Sequence, residues 1–136
     1  MELFTELFSG FNAFITHLGA ALILLGLFLF IYIKITPYHE IQLIREGNVA
    51  AAISLSGAMI GFVVPLAKAV AQSSDIYDML TWAGIALVIQ LVVYAVVRLI
   101  IPGISKDIPE GKVAQGTFLG AVSLATGLLN SACMTY

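Results

Sequence analysis

The chain has 136 residues, 60% of them hydrophobic and only 10% charged, with a formal net charge of −2. Soluble domains carry roughly 25% charged residues, and so small a chain lacks the polar surface to cover this apolar surplus. A soluble enzyme and a disordered tail are excluded, and with no basic run to track a phosphate backbone no nucleic-acid partner is expected.

What remains is an all-α integral membrane protein whose first partner is the lipid bilayer. A hydrocarbon core of about 30 Å takes roughly 20 apolar residues in helix. Residues 1–10 read as an amphipathic lead-in, with Phe4, Leu7, Phe8 and Phe11 on one helical face. Glu2 and Glu6 stand where a signal peptide carries positive charge, so no cleaved leader is expected. Four apolar spans follow, at residues 11–35, 48–70, 79–101 and 113–134. Their breaks fall at Thr36 and Pro37, at Ser73, Ser74 and Asp75, at Pro102 and Gly103, and at Pro109, Glu110 and Gly111. Proline cannot continue the helical hydrogen-bond ladder, which makes it a stop signal. The spans and their connections use nearly the whole chain as one membrane domain, residues 1–136. Lys34 and Arg45 flank the first connection and Arg98, Lys106 and Lys112 the third; only Lys68 lies toward the second. The positive-inside rule then places connections one and three in the cytoplasm and both termini outside. Tyr38, Tyr77, Trp82 and Tyr136 read as interface anchors.

A shift of 64 positions superimposes Lys34 on Arg98, Glu46 on Glu110, Gly47 on Gly111, Val49 on Val113, Ala50 on Ala114 and Leu55 on Leu119. The small residues coincide as well: Ala52 and Ser56 fall on Gly116 and Gly120, and Gly57 and Gly61 fall on Ala121 and Ala125. Two small-residue stripes at one offset point to two parallel-repeated helical hairpins, repeat one at about residues 11–71 and repeat two at about 79–134. The glycine-bearing second and fourth spans are expected at the protein centre and the Leu- and Val-rich first and third toward lipid. One stripe per helix serves contact within the chain. The other is left over, which predicts a homo-oligomer, most simply a two-fold dimer.

The Glu-Gly-Asn-Val-Ala-Ala-Ala opening of the second span, residues 46–52, and its echo Glu-Gly-Lys-Val-Ala-Gln-Gly, residues 110–116, together with the four-span layout resemble the YjfL-type bacterial inner-membrane proteins. That resemblance covers essentially the whole chain. It implies a duplicated two-helix domain of unknown function in a bacterial inner membrane, with envelope-stress membrane partners. Lys112 in place of Asn48 and Gln115 in place of Ala51 make the two motifs unequal.

Two groups of polar residues stand out. Glu46, Gly47 and Asn48, with Glu110, Gly111 and Lys112, open the two small-residue helices as caps, turns and counter-charges, or form a cytoplasmic site for a partner or ion. At an outer depth, Pro65 and Asn130 each lie about 25 Å from the cytoplasmic helix starts, with His17 in a similar layer and Lys68 one turn beyond Pro65. Lys68 either snorkels to the interface or joins His17 and Asn130 in a polar pocket. Gln90, near mid-span, reads as interhelical glue or as the lining of a pathway.

Catalytic motifs, paired intramembrane carboxylates and metal-ligand spacings are lacking; His39 and Glu40, merely adjacent, make a poor metal site. No cofactor, metal or enzymatic activity is expected. The sequence reads as a non-catalytic oligomeric membrane component or adaptor in envelope homeostasis, with a small multi-subunit ion channel or transporter as the rival.

Overall fold

The computed structural model describes residues 1–73 and 75–134; Ser74 and the anchor expected at Tyr136 lie outside them. Six helices follow in order: α1 Glu2–Ile35, α2 Glu40–Arg45, α3 Val49–Gln72, α4 Ile76–Ile100, α5 Ile104–Asp107 and α6 Val113–Cys133. Four of them, α1, α3, α4 and α6, are long and apolar enough to cross a membrane. The lead-in and the first span are one uninterrupted helix of 34 residues. At 1.5 Å per residue that is about 51 Å, well beyond the hydrocarbon thickness.

The centre is α3 against α6. The two run parallel, from Ala50 beside Gly116 to Gly61 beside Gly127, and their backbones touch. A Cβ at Gly57 would enter the backbone of Gly120, and one at Gly120 would lie 2.7 Å from the Ile53 carbonyl oxygen. Glycine is required here because apolar side chains gain little by associating in lipid, where close packing supplies the attraction. Pro65 sits inside α3 without ending it. Its missing N–H frees the Gly61 carbonyl, and the glycine of α6 that lies against that oxygen is Gly127.

The residues that meet are not counterparts in the 64-residue register. Gly57 meets Gly120 rather than Ala121, and Gly61 meets Ser123 and Gly127 rather than Ala125. The two helices therefore use different faces. Outside the spans the register recurs in hydrogen bonds: Gly47 N–H donates to Ile44 and Gly111 N–H to Ile108, while Asn48 N–H donates to Leu43 and Lys112 N–H to Asp107.

Helices α1 and α4 each keep one buried row as well as a lipid-facing surface. Phe28 of α1 stacks on Phe62 of α3 at 4.5 Å between centroids, and Tyr32 meets Tyr94 of α4 edge-on at 5.8 Å. From α4, Met79, Ala83, Ala86, Gln90, Val93, Tyr94 and Val97 face inward. The N-terminal half of α1 is exposed throughout, as an apolar helix facing lipid would be.

Candidate functional site

The chemistry of the molecule concentrates where α1 ends. Thr36 leaves the helix in an extended conformation, and Pro37 after it prevents a return to helical geometry. In the bent connection that follows, Thr36, Tyr38 and Glu40 are buried, while Pro37 and His39 are exposed. Tyr32 of α1, Ser54 of α3 and Tyr94 of α4, all buried, complete the enclosure.

Glu40 has no exposed surface, although it is the first residue of a short helix outside the spans. Its Oε1 contacts the Thr36 hydroxyl. Its Oε2 has no hydrogen-bond partner, and neither do the hydroxyls of Tyr32 and Tyr94. Burial pushes the Glu40 carboxyl up to about 7, with the Thr36 contact pulling it down in part. Burial likewise drives the Tyr38 hydroxyl above the usual tyrosine value, with the nearby Tyr94 and Glu40 adding to it. Tyr38, expected at the membrane interface as an anchor, is instead part of this enclosure. Sequence reading passed over Glu40 for want of a metal-binding neighbour.

The motif residues form two turns beside this enclosure. Gly47 and Gly111 adopt φ of 86° and 80°, the left-handed region open to glycine. Asn48 caps α3 by accepting from Ala51 N–H at 2.9 Å, and its Nδ2 donates to the carbonyls of Ile108 at 2.9 Å and Pro109 at 3.2 Å. One side chain thus starts a helix and ties the two connections together. Lys112 has no such role; it pairs with Asp107 at 3.3 Å and Glu110 at 3.7 Å, and the Asp107 hydrogen bond and charge raise it above the usual lysine value. Glu46 accepts from Gln42 at 3.5 Å.

The outer polar residues are only partly brought together. Lys68 donates to the carbonyls of Ser131 at 2.8 Å and Met134 at 3.1 Å, placing a cation on the C-terminal carbonyls of α6. Asn130 is half-buried with its Nδ2 unpartnered, and Pro65 is buried. His17 is exposed on α1, with Nδ1 2.8 Å from the Ala13 carbonyl, and no hydrogen bond joins it to Lys68 or Asn130. Deeper in, Gln90 Nε2 donates to the Ser123 carbonyl at 3.1 Å and links α4 to α6, while its Oε1 is unpartnered.

Of the small-residue positions, Gly57, Gly61, Gly116 and Gly120 lie in the α3–α6 contact. Ala52 is half-buried, and Ser56, Ala121 and Ala125 are exposed. Sequence reading overlooked Gly127, which continues the Gly116, Gly120, Ser123 row at alternating steps of four and three. An open, apolar groove of about 400 Å³ runs between the two helices, with Ala52, Ser56, Thr117 and Ala121 among its walls.

The chain matches the family described as Domain of Unknown Function (DUF350) over residues 6–134. It is 47% identical over 119 residues to the UPF0719 inner membrane protein YjfL of Escherichia coli (strain K12), covering 88% of this chain and 89% of that protein. A more distant likeness, 23% over 118 residues, links it to the UPF0719 transmembrane protein YshE of Bacillus subtilis (strain 168), covering 85% of this chain and 88% of that one. No solved structure matches it.

Proposed function

The chain belongs to the DUF350 family, and on that premise we propose that it is a non-catalytic, homo-oligomeric component of a bacterial inner membrane, serving as an adaptor in envelope homeostasis. The observation that carries the oligomer is the groove between α3 and α6. Its walls include small residues that the fold leaves uncovered, Ser56 and Ala121, beside half-buried Ala52. In lipid such residues gain from close backbone approach, and a second copy related by a two-fold axis offers the same groove in return. The likeness to an inner membrane protein supports the membrane location; the envelope role and its membrane partners remain part of the proposal. The hydrogen bonds that recur 64 positions apart support a duplicated hairpin.

Native mass spectrometry in several mild detergents tests the oligomer. A two-subunit mass is expected for the wild type, and Ser56→Leu or Ala121→Leu, which fill the groove from exposed positions, should shift it to one subunit. A single-subunit wild type in every detergent would sink the reading.

The channel or transporter reading is favoured by the unpartnered polar groups of Gln90 and Asn130 inside the spans. Asn130 with His17, Pro65 and Lys68 would line the outer part of a path, and Gln90 its middle. Ion flux into liposomes carrying the purified protein, absent from empty liposomes, would establish that reading over the adaptor.

A further inference from the structure

The enclosure around Glu40 contains more polar oxygens than partners for them. Thr36 Oγ1 lies 3.1 Å from the Ile33 carbonyl and also contacts Glu40 Oε1. A hydroxyl has a single hydrogen to share between the two, and Glu40 Oε2 has no donor at all.

The charges around it agree. Among the described residues, ion pairs join Lys112 to Asp107 and to Glu110, and none reaches Glu40. Tyr32 of α1 and Tyr38 of the connection face it, with Tyr94 of α4 against Tyr32 and the uncharged Ser54 on α3; His39 and Arg45 line the cleft that reaches Glu40, and neither forms an ion pair with it. A buried carboxylate with no ion-pair partner and one bare oxygen carries a large desolvation cost, which a proton removes.

A proton also has a short way in. Exposed His39 adjoins Glu40 in sequence and lines two clefts open to solvent. One, of about 470 Å³, also touches Glu40 and Arg45; the other, of about 270 Å³, touches Tyr38.

We propose that Glu40, enclosed with Thr36, Tyr32 and Tyr38, is a proton-binding site that exchanges with the water on the side of the membrane carrying the first and third connections. Exchange places a negative charge beside the Tyr32 and Tyr38 hydroxyls and removes it again. Burial raises the carboxyl and the Thr36 hydroxyl lowers it in part.

Infrared difference spectroscopy of the full chain in nanodiscs, titrated between about pH 4 and 9, reads the site directly. The wild type should show a protonated-carboxyl carbonyl band that persists above the ordinary carboxylate range and disappears near neutrality. Glu40→Gln should remove that band. Tyr32→Phe and Tyr38→Phe keep the rings and each remove a polar hydroxyl beside the carboxyl, so they should move the midpoint upward by roughly one pH unit. They test the enclosure even if Glu40→Gln fails to fold. The proposal is overturned if every carboxyl band is gone within the ordinary carboxylate range, or if neither tyrosine variant moves the midpoint. It is also overturned if sodium at fixed pH abolishes the band, which would make the site one for a metal cation.

Discussion

At Glu40 the folded chain binds a proton more tightly than the unfolded one, because burial lifts the carboxyl from 4.5 to about 7. The sign follows from linkage: the stabilisation is complete below the unfolded value and is lost as pH rises through the folded one. A shift of this size corresponds to a stability change of about 3 kcal/mol across that window. Glu40→Gln, neutral at every pH, should not show that loss. Thermal unfolding in detergent should find the wild type losing stability relative to the variant between about pH 5 and 8, with no further divergence above that range. Parallel curves for the two proteins would mean that Glu40 is not perturbed by its enclosure. Asn48 shows another side of the residue scale, since its cap on α3 is a local matter while its bonds to Ile108 and Pro109 cross 60 and 61 positions of chain.

Among the elements, α3 and α6 are held by what their side chains lack. Gly57, Gly61, Gly116, Gly120 and Gly127 have backbone or carbonyl atoms where a Cβ would stand, whereas Gly26 of α1 and Gly84 of α4 face open space. Leucine at Gly57, Gly61 or Gly120 must push the helices apart, at about 1–3 kcal/mol or more. Leucine at Gly26 or Gly84 meets only lipid and should be close to neutral. Unfolding in detergent should separate the two groups by several degrees; equal tolerance across both would deny the backbone contact. The buried rows of α1 and α4 follow from the same packing. With α3 and α6 drawn close, Phe28, Tyr32 and Tyr94 have a common surface to cover.

For the whole molecule, the basic residues predict how it sits in the membrane. Lys34, Arg45, Arg98, Lys106 and Lys112 lie at one end of the bundle, and Lys68 is bound to the α6 carbonyls at the other. The positive-inside rule assigns the first end to the cytoplasm and the termini to the opposite side. A C-terminal alkaline phosphatase fusion should then be active and a C-terminal green fluorescent fusion dark. The reverse pattern would turn the molecule over, and the proton site at Glu40 would then exchange with the outside rather than the cytoplasm.

Composition and local pattern were enough to identify four spans, the glycine-bearing pair and the cap at Asn48, because each depends on residues within a turn or a span of one another; the lead-in expected over residues 1–10 is instead continuous with α1. Length against bilayer thickness, proline at a boundary and a side-chain oxygen three residues before an unpaired N–H all act locally. Which faces of α3 and α6 would meet was not legible in this way. Both stripes on each helix are small enough for close approach, and the 64-residue register suggested equivalent faces where the structure uses different ones. The enclosure at Glu40 depended still more on tertiary structure. Its groups come from positions 32, 36, 38, 40, 54 and 94, and a glutamate beside a histidine in a connection looks solvated until α1, α3 and α4 close over it. Burial decides the chemistry of a carboxyl, and burial is a property of what surrounds it.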